Sequence, residues 1–369
     1  MSSQIFRPTY DLSPGMQVQL REIEQKAWLI EKMLLMPKYE AWIQREVSIE
    51  RASATTKIEG FGDDEAQVSD SKLIDQANEN ALRAYEFIDY LSDLKDQSLD
   101  ELVVRQINRE FLHGTPATLT PGIYRKGQNT VGGYTPPNQG DVPQLMRAFV
   151  SWLQHGPDHV ILAAGLAHLH LVAIHPFWDG NGRTARGLEA LVLQRSEFHF
   201  KKLLSMERAF LKVRAHYFAA IERTLGATFG EYDATPWLEF YLMMLGIEAD
   251  RLISQLTTWH QNLEKLHKAG GGLGLLNRQA DALSFLIRTG RLTRSDYMDI
   301  AGVSAVTASR DLKDLVGKGW ILAKGATASR HYLPADQIHE AIHEDSSEKP
   351  AMPEQIPLFD GPEEVQQGK

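Results

Sequence analysis

Apolar residues recur at three- and four-residue spacing from Met16 to about Val68 and again from Ser69 to Lys95, with few breakers. That period predicts successive amphipathic helices, one stripe of each turned to a core. It returns at Val142 to His155, Ile161 to Ile174, Arg183 to Ser196, Val213 to Leu225 and Pro236 to His267. Between these, Thr115 to Pro143 loses the period and gathers Gly, Pro, Thr and Asn, which reads as a long loop holding a short hairpin. The predicted fold class is mainly α.

A glycine cluster, Gly270 to Gly274, reads as an interdomain linker. Beyond it come a helix from Arg278 to Thr289, the segment Thr293 to Ala301, a turn at Gly302 and a helix opening at Ser304. Gly319 to Leu322 and Ser329 to Leu333 then read as two short strands around Lys324-Gly325-Ala326. Helices followed by a small hairpin suggest a winged helix-turn-helix. The predicted divisions are an N-terminal helical region 1–110, a helical core 111–268, a linker 269–276, a winged module 277–334 and an acidic, disordered tail 335–369.

Length agrees with that division, since 369 residues exceed one ordinary compact domain. Hydrophobic content of 43% and charged content of 24% are ordinary globular values. No apolar run approaches the roughly eighteen residues of a membrane span. The start lacks the basic flank and apolar stretch of a secretory signal, so a cytoplasmic protein is expected. The absence of cysteine excludes disulfides, thiolate nucleophiles and cysteine-ligated zinc. The net charge of -9 argues against nucleic acid until its distribution is read. Asn277 to Pro334 carries nine Lys/Arg against five Asp/Glu, and Ala335 to Lys369 two against nine, so an acidic tail masks a basic module.

The chemistry concentrates in Ile174-His175-Pro176-Phe177-Trp178-Asp179-Gly180-Asn181-Gly182-Arg183-Thr184-Ala185-Arg186. An apolar helix ends before a histidine, a tight Gly-Asn-Gly turn follows, and a second helix is predicted to open at Arg183. Amides of such a turn, backed by a helix N-terminus, make an anion site that Gly180 and Gly182 leave open. Arg183 and Arg186, one helical turn apart, suit bidentate contact with phosphate oxygens. Asp179 can hold a magnesium ion bridging phosphates, and His175 can take a proton near neutral pH. Together they point to phosphoryl or nucleotidyl transfer.

The segment resembles the Fic signature H-P-F-x-(D/E)-G-N-G-R-x-x-R and matches it at every defined position. The resemblance implies an all-helical Fic fold with a β-hairpin flap, and transfer of AMP from ATP to a Ser, Thr or Tyr hydroxyl of a protein. By resemblance His175 is the general base, Asp179 the Mg2+ ligand, Asn181 with adjoining amides the α-phosphate cradle, and Arg183 and Arg186 the triphosphate contacts. Thr184 and Ala185 join the nucleotide contacts on the same ground, and Phe177 packs inward. Upstream, Thr55-Thr56-Lys57-Ile58-Glu59-Gly60 resembles the inhibitory pattern (S/T)-x-x-x-E-(G/N) of the family. That implies Glu59, with Thr55, pairing with Arg186 and denying it to the γ-phosphate.

Gln128 to Pro137 resembles the Fic flap, which holds a target segment by strand addition, and places Asn129, Thr130, Val131 and Gly132 beside the nucleotide. His216, Tyr217 and Thr224 fall where relatives place residues near the adenine. Removal of AMP from a modified protein, with Glu59 orienting a water, is a second reading of the same site. A third is a nucleotide-sensing regulator that reads DNA. In the winged module, Thr307, Ser309 and Arg310 with Lys324 and Arg330 are candidate DNA contacts, protein docking being the alternative. A homodimer and self-modification are expected of the Fic body. Gln355-Ile356-Pro357-Leu358-Phe359 resembles the peptide by which bacterial proteins bind the replication sliding clamp.

Overall fold

The computed structural model describes residues 9–61, 70–115, 120–155, 159–326 and 329–338, and of 269–273 the backbone alone. The tail from residue 339, with the Gln355 to Phe359 peptide, lies outside the described residues. Two compact units divide the chain, Met1–Thr258 and Trp259–Lys369.

In the first unit the predicted stretch from Met16 resolves into α1 (Pro14–Lys32) and α2 (Pro37–Ile58). Each opens on a proline, whose fixed φ and missing N–H suit the first helical position and no interior one. There follow α3 (Ser71–Asp93), α4 (Glu101–Phe111), α5 (Val142–His155), α6 (Val160–Ile174), α7 (Asn181–Gln194), α8 (Met206–Lys212) and α9 (Arg214–Leu225). Side chains of Ser13, Asp70, Asp100 and Ser205 accept bonds from first-turn amides and fix where α1, α3, α4 and α8 begin.

Helix α6 is apolar on every side, which is why it is the buried axis against which α7 packs. Tyr85, Ile88, Ile107, Phe111 and Leu191 form a core cluster among α3, α4 and α7. The connection from α6 to α7 is thereby held rigidly at the end of two buried helices.

The expected flap hairpin is shorter than predicted. Val131 and Tyr134 exchange two backbone hydrogen bonds in one isolated bridge, and no ladder extends from it among the described residues. The stem pairs instead with a segment after α9: Thr135 N–H donates to Ala227 O and Phe229 N–H to Thr135 O.

Helix α10 (Thr235–Leu273) runs through the glycines predicted as a linker, leaving only residues 274–276 before the next helix. Extending an existing helix needs no new nucleus, which offsets the poor propensity of glycine. In the second unit α11 (Asn277–Thr289), α12 (Arg294–Ala301) and α13 (Ala305–Gly317) precede β1 (Ile321–Lys324) and β2 (His331–Pro334). The strands pair antiparallel, Ile321 opposite Pro334, and Tyr332 also bridges Leu292, completing a helix-turn-helix with a wing. The strands start two residues later than predicted, and Trp320, expected inside the first, is buried just ahead of it.

Candidate active site

Helix α6 stops at His175, which adopts a left-handed backbone (φ 49°, ψ 58°) while its N–H donates back to Leu171 O. That turn swings the chain out of the helix and presents the imidazole where the next loop begins. Nδ1 lies 3.4 Å from Val172 O. A carbonyl only accepts, so the proton belongs on Nδ1 and Nε2 keeps its lone pair. Burial lowers the His175 pKa to about 4, against smaller opposing effects that include the Val172 hydrogen bond, so the ring is a neutral base at physiological pH.

The loop closes on itself. Asn181 Nδ2 donates to Phe177 O and its Oδ1 accepts from Phe177 N, both at 2.9 Å. The Asn181 side chain thus closes the loop on Phe177. Helix α7 opens at Asn181, two residues before the predicted start, because Gly180 (φ 75°) makes the turn. Gly180 lends no capping side chain, so the first-turn N–H groups keep their donor capacity for an anion.

Asp179 is 42% exposed at its side chain, and Arg183 Nη2 lies 3.1 Å from both carboxylate oxygens. Arg183 is buried, and its Nε has no hydrogen-bond partner. An unpaired buried donor beside a helix N-terminus is the position a phosphate oxygen would satisfy. No group of three His, Cys, Asp or Glu suited to a metal occurs among the described residues. A single exposed carboxylate nonetheless fits Mg2+ held by one protein ligand and substrate phosphates.

Arg186 is buried and heavily bonded. Nε donates to Thr55 Oγ1 (2.8 Å), Nη1 to the Tyr217 hydroxyl (3.2 Å), and Nη2 to Thr55 O (3.3 Å) and Glu59 Oε1 (2.5 Å). Burial alone would raise the Glu59 carboxyl, but Arg186 and Arg183 outweigh it and hold Glu59 below the usual carboxylate range. Gly182 makes the approach feasible, since a Cβ there would sit 2.5 Å from Glu59 Oε1.

Several predicted contacts are placed elsewhere. The Thr184 amide and hydroxyl both bond Gly180 O, and Ala185 is fully buried, so neither offers a side chain to a ligand. Tyr217 is buried behind Arg186 and stacks on Phe210 at 4.8 Å, a support for the arginine. Thr224 bonds its own helix at Ala220 O, and His216 is exposed. In the flap, Thr130, Val131 and Gly132 are exposed, and the Asn129 side-chain oxygen is buried without a partner.

Three sets of residues were not legible in the sequence. Asn108 Nδ2 donates to Asp179 O and Thr184 Oγ1 while its Oδ1 accepts from Gly122 N, tying the loop to α4. Arg214 Nε donates to Ile58 O, holding the end of α2. His168 Nδ1 lies 2.5 Å from Glu189 Oε2, and its Nε2 2.9 Å from the Tyr217 hydroxyl. Burial lowers this histidine and raises this carboxyl, so the pair is held neutral behind Arg186. An asparagine on the apolar face of an amphipathic helix, beside Val104, Ile107 and Phe111, was the one available signal, at Asn108.

Residues 98–193 match the family model described as Fic/DOC family, spanning the loop, both arginines and the flap. The chain carries a Fic domain. Residues 277–335 match the C-terminal domain described as transcriptional regulator DIP2311-like. The chain is 32% identical over 226 residues to protein adenylyltransferase Fic of Drosophila virilis, covering 56% of this chain and 46% of the relative. It is 37% identical over 134 residues to that of Aedes aegypti, covering 35% and 27%. The chain thus spans half or less of the curated relatives it matches. A Fic family protein from Desulfovibrio desulfuricans shares the fold, with TM-score 0.59 at 20% identity over 89% of this chain and 98% of that one. Fic-1 from C. elegans aligns with TM-score 0.55 at 23% identity, over 66% and 73%.

Proposed function

We propose that the chain is a protein adenylyltransferase, transferring AMP from ATP to a protein hydroxyl under restraint from Glu59. The observation that carries the reading is one half-buried site holding a neutral histidine, an uncapped helix N-terminus and a buried arginine whose Nε lacks a partner. His175 Nε2 accepts the proton as a Ser, Thr or Tyr oxygen attacks the α-phosphorus. The new P–O bond forms as the bond to the β-phosphate oxygen breaks, and pyrophosphate leaves. Arg183 and the first-turn amides of α7 balance charge building on the phosphates. Asp179 would hold Mg2+, which supplies further charge neutralisation across the phosphates.

Glu59 restrains this chemistry by occupying Arg186, the remaining cation for the triphosphate. A charge-assisted hydrogen bond of about 1.5–3 kcal/mol is the competition that a γ-phosphate meets. Transfer is tested with ATP labelled separately at the α- and γ-phosphates, offered with cell lysate. Label retained on protein from the α-position alone supports AMP transfer, and retention from the γ-position overturns it. Relatives carry the name protein adenylyltransferase. Self-modification and a homodimer belong to the same proposal, and no helix among the described residues is long and apolar enough to cross a membrane.

For the second unit we propose binding to the phosphates of nucleic acid. Arg291, Arg294, Lys313 and Arg330, with Thr293, Ser295 and Ser309, line one groove between α12, α13 and the wing. None of those four cations has an ion pair among the described residues, whereas Arg278 and Lys318 nearby pair with Asp311 and Asp314. Of the predicted contacts, Ser309 and Arg330 line the groove. Arg310 and Lys324 are exposed outside its lining, and the Thr307 hydroxyl sits against Ser304 at the helix cap. Four neutralised phosphates give a salt slope near about -3.6 for duplex binding. The double variant Arg291→Gln/Lys313→Gln should halve it, and Arg288→Gln/Lys324→Gln should leave it unchanged.

A further inference from the structure

The buried guanidinium of Arg125 lies between the flap and the catalytic loop. It is 2% exposed, and its side chain donates to three carbonyl groups: His175 O (2.9 Å), Gly127 O (3.0 Å) and Pro137 O. Its own amide donates to Pro176 O at 2.9 Å. Gly127 and Pro137 are the two ends of the flap, and His175 and Pro176 open the loop that carries the signature. One side chain therefore staples both flap ends to the backbone of the proposed base.

No carboxylate pairs with Arg125 among the described residues. A buried cation satisfied by carbonyl dipoles alone is an expensive way to fill space, and an apolar side chain would pack there at lower cost. What the guanidinium supplies is a planar fork of fixed donors reaching three carbonyls at once, which the single ammonium of lysine does not reproduce. The stapled element needs such a restraint. Within the flap, backbone pairing among the described residues is limited to the Val131–Tyr134 bridge, supplemented by Gln128 Nε2 donating to Pro136 O at 2.9 Å and by the Thr135 pairing with residues 227–229, and His175 sits in a backbone conformation that non-glycine residues enter rarely. A second tie runs parallel, the Tyr134 hydroxyl donating to Ala173 O at 2.8 Å, two residues before the histidine.

We infer that Arg125 is a positioning residue, which fixes the flap and the His175 backbone as one rigid frame so that a hydroxyl presented on the flap meets the imidazole in line. This rests on the AMP-transfer reading for its consequence, and on geometry alone for the frame. Arg125 touches neither nucleotide nor target in this role, so its loss should slow turnover while leaving nucleotide affinity in place. A misplacement near 1 Å at a reacting group costs on the order of 100-fold in rate.

The test compares Arg125→Lys and Arg125→Met in a Glu59→Gly background. Uptake of label from α-labelled ATP into the chain itself is read at saturating ATP, ATP affinity by calorimetry, and amide exchange in the peptides spanning 127–137 and α6. The expected result for Arg125→Lys is about a 100-fold slower rate with ATP affinity within about twofold. Flap amides should exchange at least about tenfold faster while α6 is unchanged. A rate within about threefold of the parent, unchanged flap exchange, or equal loosening of flap and α6 would each overturn the inference. If the parent itself takes up no label, self-modification fails while transfer to another protein is decided by the lysate assay, and the exchange data still decide whether Arg125 holds the frame.

Discussion

Glu59 and Arg186 stand 127 positions apart in the chain and 2.5 Å apart in space. Replacing Glu59 with Gly removes the carboxylate bonded to Arg186, which on the proposed reading competes with a phosphate. The expected outcome is at least a tenfold rise in label uptake from α-labelled ATP, matching one charge-assisted hydrogen bond of about 1.5–3 kcal/mol. His175 gives a pH test in the same variant. Burial holds its pKa near about 4, so the neutral base persists down to that value. Initial rates should stay flat through pH 6.5, where an unburied histidine gains its proton, and fall only toward pH 4. A midpoint near 6.5 would contradict a buried base. Most residues of the proposed chemistry were legible in the sequence because they lie in one dense segment. The Glu59–Arg186 contact was legible only as a motif, and the burial of Tyr217 against Arg186 was not legible, because a sequence cannot say which face of α9 is buried.

Helix α2 carries Glu59 at its end and Arg51 in its body. Arg51 is 1% exposed, its Nε lies 3.4 Å from Glu207 Oε2, and its guanidinium covers the Tyr85 ring at 4.0 Å. Tyr85 in turn donates to Glu207 at 2.6 Å. Arg51→Ala would leave the Glu207 carboxylate buried without its cation, a cost of about 3–5 kcal/mol. The denaturation midpoint in urea measures it. Because Arg51 anchors the helix that holds Glu59, the same variant should raise label uptake with Glu59 intact. The lengths of α5 and α6 followed from apolar period alone. The length of α7 also followed, but its start did not, nor did the end of α10, since glycine is punctuation in one place and tolerated in the other. The flap was read as a hairpin from its turn residues, yet its stem pairs with residues 227–229, a long-range partner that local pattern does not reveal.

Across the first unit, buried histidines set the response of stability to acid. Burial lowers His170 to about 3 and His175 to about 4, so between those values and about 6.5 the unfolded chain binds two protons that the folded chain refuses. Each contributes about 1.4 kcal/mol per pH unit, so stability should fall by about 3 kcal/mol per unit as pH drops below 6.5. The neutral His168–Glu189 pair adds nothing there, since it keeps one proton folded and one unfolded. Urea midpoints at pH 7 and pH 5.5 measure the slope, and a flat profile would contradict neutral burial. Length led to the expectation of more than one unit, and the division into two compact units falls inside α10, where no change of composition marks it. The basic balance of the second module was legible as a sum. Its convergence on one groove needed the fold, because Arg291 and Arg330 meet only through the wing.

The central claim is AMP transfer by His175 under restraint from Glu59, and its most direct measurement sets three chains side by side with α-labelled ATP, Mg2+ and lysate. These are the unmutated chain, Glu59→Gly, and Glu59→Gly/His175→Ala. Weak labelling of the first, strong labelling of the second and none of the third is the expected result. Equal labelling of the second and third, or no labelling of the second despite measured ATP binding, would contradict it.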